Sequence, residues 1–124
     1  YDKAYQLMLG VLEKHPDVDV VVGLNEYSAV GAARAIVDKG LAGEISFVGF
    51  DSSLEEIKML EAGIFQGMVI QNPFKMGYLG VETAVKVLNG EKVPREIDSG
   101  SVLITRDNMY LDENQEMLFP FKGE

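Results

Sequence analysis

The chain has 124 residues, of which 47% are hydrophobic and 25% are charged, and its formal net charge is −9. This length and composition fit one globular domain and exclude collagen-like, disordered and low-complexity classes. The acidic balance also argues against nucleic acid as a direct partner, because binding to a phosphate backbone needs clustered lysines and arginines.

The chain contains few of the residue types that form metal sites or act as nucleophiles. No cysteine is present, which excludes disulfides, thiolate metal sites and cysteine nucleophiles. The one histidine, His15, lies in a polar turn before Pro16, where a solvated loop residue is the ordinary interpretation. No uncharged apolar run approaches the roughly 18 residues that cross a bilayer. We therefore expect no catalytic residues, no metal, no cofactor and no membrane-spanning helix in this region.

Apolar periodicity in the first half predicts helices that alternate with short buried strands. A helical stripe precedes His15-Pro16, and residues 17–24 then form a β-branched strand predicted to be buried on both faces. Ser28 is a good N-cap for the second helix. The first stripe consists of Ala4, Leu7, Met8, Val11 and Leu12, and the inner face of the second helix of Ala29, Ala32, Ala33, Ile36 and Val37.

The second half continues the alternation and then becomes irregular. Residues 45–50 form the second strand, and the capping box from Ser53 to Glu56 opens a short helix, with Glu55 and Glu56 expected to be solvated. Residues 66–71 form the third strand, after which Asn72-Pro73 supplies an N-cap and a first-turn proline. The next helix carries an apolar stripe, followed by a short strand at 101–105 and an irregular tail at 107–124. The stripe consists of Phe74, Gly77, Tyr78, Val81, Val85 and Leu88.

This order predicts an α/β fold, a three-layer parallel sheet with helices on both faces. Three parallel strands are few for such a sheet, and the first helix follows no strand. The strand at 17–24 is therefore left with an unpaired apolar edge, which is typical of a piece of a larger domain. We expect this edge to lead to dimerisation or strand exchange when the chain is isolated.

Polar side chains follow each of the three predicted parallel strands, where ligands bind in open α/β sheets. Asn25 follows the first strand, Asp51 the second and Gln71 the third. Neighbouring strands lie about 4.8 Å apart, so three such side chains would span roughly the breadth of one sugar ring. A carboxylate can accept hydrogen bonds from two sugar hydroxyls, and an amide can donate one and accept one.

A purely structural role competes with this interpretation. Asp and Asn at strand-to-helix turns are often only N-caps, which leaves the roles of Asn25 and Asp51 open. Gln71 differs, because Asn72 is the better cap and leaves Gln71 without a structural function. No glycine-rich phosphate loop of a known pattern is present.

Several motifs, in register over nearly the whole chain, resemble the C-terminal lobe of type I periplasmic sugar-binding proteins, the ribose-binding-like components of ABC transporters. They are Asn25-Glu26-Tyr27-Ser28-Ala29-Val30-Gly31, Val48-Gly49-Phe50-Asp51, Gln71-Asn72-Pro73-Phe74-Lys75-Met76-Gly77 and Gly90-Glu91-Lys92-Val93-Pro94. The resemblance implies a two-lobed clamp that closes on a monosaccharide, and its ligand-contacting Asn, Asp and Gln match Asn25, Asp51 and Gln71.

The resemblance also implies that residues 1–124 are a partial C-terminal lobe. The N-terminal lobe and the first strands of this lobe are then absent. The expected protein is extracytoplasmic and non-enzymatic, with an ABC permease or a membrane sensor as its partner. The tail at 113–121 resembles those of Gram-positive lipoproteins on the cell surface. Two alternatives stay open: the effector domain of a lactose-repressor-like regulator, and a flavodoxin-like signalling or enzyme domain that uses Asp51.

Overall fold

The computed structural model describes residues 1–119 and confirms the predicted alternation of helices and strands. The described residues form two compact units, one made of Tyr1–Ile70 with residues 103–119, the other of Gln71–Val102. The elements are α1 (Asp2–Lys14), β1 (Val20–Val22), α2 (Glu26–Asp38), β2 (Ser46–Phe50), α3 (Leu54–Glu61), β3 (Gly67–Gln71), α4 (Pro73–Leu88), β4 (Ser101–Ile104) and α5 (Asp112–Leu118).

The four strands form one sheet in the order β1-β2-β3-β4, so the predicted short strand near residue 101 is confirmed. The pairs β1–β2 and β2–β3 are parallel, with Val21 opposite Phe47 and Gly49 opposite Met68. Because both connections cross between neighbouring parallel strands in the same direction, right-handed crossovers place α2 and α3 on one face of the sheet. The carboxyl ends of β1, β2 and β3 consequently point the same way.

The core of the first unit lies between this face of the sheet and the helices α1, α2 and α3. The Phe47 and Phe65 rings stack at its centre, with centroids 4.8 Å apart and planes 17° apart. Gly31 of α2 lets α1 approach closely, since a Cβ at this position would overlap the Tyr1 carbonyl oxygen. The largest fully buried side chains include Val30, Ile36, Phe47, Leu60, Phe65, Met68, Ile104 and Met109.

Two predictions for the first unit were partly wrong. The strand at 17–24 is shorter than expected, and Val20 and Val22 are 60% and 55% exposed, so it is not buried on both faces. The physical reason is that β1 is the edge of the sheet among the described residues, as the unpaired-edge argument anticipated. In α1 only Met8 and Leu12 of the predicted stripe are buried, and in α2 Val37 is exposed.

The predictions for α4 and the tail also need correction. No residue of α4 is buried, although its stripe from Phe74 to Leu88 was expected to face inward. An apolar stripe is buried only where another surface covers it, and nothing within the unit Gln71–Val102 covers α4 closely enough to bury any of its residues. The tail is not irregular throughout, because α5 forms and buries Leu118. Residues 120–124 lie outside the described part of the chain.

None of the helices in residues 1–119 has both the length and the apolar character that a bilayer crossing needs.

Candidate functional site

Asn25 is the N-cap of α2 and lies just beyond the end of β1. Its side-chain Oδ1 accepts a hydrogen bond of 2.9 Å from the Ser28 backbone N–H, and the Ser28 hydroxyl accepts one of 3.3 Å from the Asn25 backbone N–H. Ser28 was predicted to be the cap, and that prediction was wrong: Asn25 is the N-cap, and Ser28 is the third residue of α2 and closes the capping box. Among described residues none accepts from the Asn25 Nδ2 group, so the capping role leaves this donor free in an exposed side chain.

Asp51 follows β2 directly and has an unusual backbone. It is the one non-glycine residue within 1–119 with a positive φ, at 73°. For a residue with a Cβ this conformation costs about 1–2 kcal/mol, although aspartate tolerates it better than most. The Asp51 backbone N–H donates to the Val69 carbonyl at 3.0 Å, which holds the residue against β3.

The Asp51 carboxylate does not serve as a helix cap. The cap of α3 is Ser53, whose hydroxyl accepts from the Glu56 backbone N–H at 3.3 Å. No hydrogen bond from the described chain reaches the Asp51 side chain, which is half-buried. Of the two roles that the sequence left open for Asp51, capping is therefore excluded, and its acceptor oxygens are available to a ligand.

Gln71 is the last residue of β3 and the first residue of the second compact unit. As predicted, its neighbour Asn72 caps α4, through a hydrogen bond of 2.9 Å from the Lys75 backbone N–H, and Pro73 follows at the first helical position. The structure thus brings Asn25 and Asp51 to the ends of adjacent parallel strands within one unit, and it places Gln71 at the end of the third strand.

A second carboxyl group, that of Glu56, lies near Asp51, and the sequence did not reveal its burial. Glu56 was expected to be solvated, but its side chain has no exposed surface. Burial is the main cause that raises the pKa of Glu56 to about 7, and the charges of Glu26 and Asp51 also raise it. Hydrogen bonds from Ser53 lower the pKa, but by less. The sequence signal that could have found it is the capping box, which turns the third residue of a helix back over the helix start.

Around Glu26 and Glu55, polar contacts link α2 to the starts of α1 and α3. The Tyr1 hydroxyl donates to the Glu26 carboxylate, and this hydrogen bond raises the pKa of Tyr1 to about 12. Arg34 of α2 binds Glu55 through two hydrogen bonds of 2.8 and 2.7 Å. Tyr27, which follows Glu26, is exposed and makes an edge contact with the Tyr1 ring, 5.1 Å between centroids. These contacts leave the Asn25 amide and the Asp51 carboxylate unengaged.

Comparison with known proteins identifies the family. Residues 1–92 match the model of a periplasmic binding protein domain. Over 91 residues the chain is 40% identical to the ribose import binding protein of Escherichia coli strain K12. A sugar transporter structure from Clostridium phytofermentans is 54% identical, with a TM-score of 0.71 over 86% of this chain. A solute-binding protein of an ABC transporter from Agrobacterium vitis, solved with bound D-fucose, is 34% identical, with a TM-score of 0.83 over 93% of this chain.

In each comparison the chain corresponds to a minor part of the other protein. The match covers 73% of this chain but 30% of the ribose import binding protein, 38% of the C. phytofermentans structure and 40% of the A. vitis structure. The resemblance read from the motifs is thereby confirmed. The chain belongs to the periplasmic binding protein family, and its fold is a partial lobe of the type I fold found in the sugar-binding components of ABC transporters.

Proposed function

We propose that this chain is part of the C-terminal lobe of an extracytoplasmic solute-binding protein that binds a monosaccharide for ABC import or surface sensing. The observation that carries the proposal is the pairing of Asn25 and Asp51 at adjacent strand ends, each with a free polar group. These strand ends are where ligands bind in open α/β sheets, and no intramolecular hydrogen bond occupies either group, so both are accessible to a polar ligand.

The chemistry of these side chains suits a sugar. The Asp51 carboxylate accepts hydrogen bonds from two hydroxyls, and the Asn25 Nδ2 group donates to a hydroxyl oxygen while its Oδ1 keeps the helix capped. Gln71 adds one donor and one acceptor. The relatives support this class of ligand, since two are named for ribose and D-allose and two structures were solved with D-fucose and D-arabinose.

The rest of the protein follows from the family. In this proposal an N-terminal lobe and the first strands of this lobe precede Tyr1 and complete the sheet beside β1. The two lobes close on the sugar, and the closed form contacts an ABC permease or a membrane sensor. The protein is not an enzyme, and it is anchored by a lipid at the surface of a Gram-positive cell. The relatives are solute-binding proteins, which supports this proposal over the repressor-like and flavodoxin-like alternatives.

Conservative substitutions in the full-length protein separate binding from folding. Asp51→Asn keeps a side chain that tolerates a positive φ but removes the charge. Asn25→Asp keeps an N-cap of equal quality but removes the amide donor. A hydrogen bond to a charged group contributes about 1.5–3 kcal/mol, so we expect sugar affinity to fall roughly 10- to 150-fold in Asp51→Asn.

The test is calorimetric titration with D-ribose, D-allose, D-arabinose and D-fucose. Asp17→Asn is the matched control, because Asp17 is exposed and precedes β1, at the opposite end of the strand from Asn25. Unfolding midpoints close to wild type are expected for all three variants. Wild-type affinity in both site variants would refute the assignment of the site, and no sugar binding by the wild type would refute the function.

A further inference from the structure

Glu56, the third residue of α3, is more deeply buried than its position near the start of the helix requires. A glutamate at the third position of a helix commonly stays at the surface, where its carboxylate is hydrated. Here it is the one charged side chain that is buried within residues 1–119, with 0% of its surface exposed. Burying an ionised carboxylate costs several kcal/mol unless it is paired, so the burial of Glu56 calls for a physical explanation.

The two oxygens of Glu56 have different surroundings. Oε2 accepts a hydrogen bond of 3.0 Å from the Ser53 hydroxyl, while that hydroxyl accepts from the Glu56 backbone N–H. Oε1 is inaccessible to solvent and has no hydrogen-bond partner in the described chain. Arg34, the α2 cation that reaches α3, is bound to Glu55 instead. An unpaired buried oxygen is much less costly on a neutral carboxyl than on an ionised one.

Asp51 is the first residue of a three-residue loop that leads into α3, the helix that carries Glu56. This loop runs from Asp51 to Ser53 and joins the end of β2 to the start of α3. Its first residue is held by the hydrogen bond to the Val69 carbonyl, and its last residue by the Ser53–Glu56 pair. Between these two anchors Asp51 keeps its positive φ, so releasing either anchor would let the backbone relax to an ordinary conformation.

We propose that Glu56 is a positioning residue for Asp51: its protonated, buried carboxyl holds Ser53 and thereby keeps the Asp51–Ser53 loop in the geometry that presents the Asp51 carboxylate to the sugar. This inference rests on the proposed function, since it assumes that Asp51 binds the ligand. Ionisation of Glu56 adds a third negative charge to those of Asp51 and Glu26. The cost of burying this charge exceeds what the hydrogen bonds from Ser53 recover, so the ionised side chain turns towards water and the anchor opens.

The raised pKa of Glu56, about 7, places this change in the neutral range. The charged groups that act on Glu56 come from two neighbouring elements, Glu26 at the start of α2 and Asp51 at the end of β2, and both disfavour its ionised form. Sugar affinity should therefore be highest below pH 7 and should decrease as pH rises through 7.

The test is sugar affinity against pH in the full-length protein, from pH 5.5 to 8.5, with the same four monosaccharides. We expect the wild type to bind about three- to tenfold more weakly at pH 8.5 than at 6.0. Glu56→Gln, which cannot ionise, should show a flat profile at the high-affinity level. Glu55→Gln is the matched control on the same helix, and it should keep the wild-type profile.

A second variant keeps the proposal testable if Glu56→Gln does not fold. Ser53→Ala removes the hydroxyl through which Glu56 holds the loop, so sugar affinity should be weak, near the level of the wild type at pH 8.5, and should no longer decrease as pH rises through 7. A pH dependence with another origin would remain in Glu56→Gln. Equal pH profiles in the wild type and Glu56→Gln would overturn the role of Glu56 while leaving sugar binding intact. Absence of sugar binding by the wild type at every pH would instead overturn the proposed function, and this inference with it.

Discussion

The buried carboxyl of Glu56 should make the stability of the protein fall as pH rises from about 4.5 to 7. In the unfolded chain this group has its ordinary pKa of 4.5, and burial raises the pKa in the folded state to about 7. Below 4.5 both states bind the proton. Between the two values only the folded state binds it, and each pH unit then lowers the free energy of unfolding.

The magnitude follows from the separation of the two pKa values. One unit corresponds to about 1.4 kcal/mol, so two and a half units correspond to about 3 kcal/mol lost between pH 4.5 and 7. Domain stabilities are typically about 5–15 kcal/mol, so such a loss is large. In Glu56→Gln this loss should be absent. The variant should therefore be more stable than the wild type above pH 7, and the difference should shrink or reverse near pH 5.

Urea unfolding of the full-length protein at intervals from pH 4.5 to 8.5 measures this difference. Glu55→Gln serves as the control, because Glu55 is partly exposed and its pair with Arg34 has little effect on stability, roughly 0–1 kcal/mol. Subtracting each variant's free energy of unfolding from that of the wild type removes the contributions of all other groups. A difference between wild type and Glu56→Gln that stays constant over this range would show that Glu56 titrates normally, and the argument from burial would be wrong.

Further predictions concern packing, strain and the isolated chain. Gly31→Ala should destabilise the protein by about 1–3 kcal/mol, because the new Cβ would overlap Tyr1 and Ala4. Gly10→Ala in α1 has open space around the new Cβ and should stabilise the protein by roughly 0.5–1 kcal/mol. Thermal unfolding of the two variants measures this difference. Asp51→Gly should raise stability by about 1 kcal/mol, since glycine adopts a positive φ without strain. The same substitution should abolish sugar binding in calorimetry, because it removes the carboxylate proposed to bind the sugar. The isolated chain should bind sugars no better than about 1 mM by calorimetry and should self-associate in sedimentation experiments, because it carries part of one lobe and an open β1 edge.

Local signals explain why much of the fold could be predicted from the sequence. The caps Ser53 and Asn72 act within four residues, so their hydrogen bonds can be inferred from neighbouring residues. The same holds for the strands, whose β-branched runs are short and flanked by polar turns. Asn25 and Ser28 show the limit: both can cap a helix, and in the folded chain they share one capping box, so composition alone cannot assign the first helical residue.

Properties that depend on distant parts of the chain could not be predicted in the same way. Periodicity identified the apolar stripe of α4, but a stripe does not indicate which surface covers it, and Phe74 and Leu88 are 81% and 85% exposed. The burial of Glu56 likewise depends on packing between α2 and α3. The availability of the Asp51 oxygens became visible only when the structure showed that Ser53 performs the capping.

The segment from Asp51 to Glu56 combines three unusual features. It contains the single positive φ of a non-glycine residue, a half-buried carboxylate with no intramolecular hydrogen bond, and a buried carboxyl with one orphaned oxygen. Elsewhere in residues 1–119 the left-handed conformation occurs only at glycines, and the other charged side chains all reach solvent. Sequences are generally consistent across local preference, packing and charge, and departures from this consistency concentrate at functional sites. The concentration of these features within six residues supports the proposed binding site on physical grounds, independently of the similarity to known sugar-binding proteins.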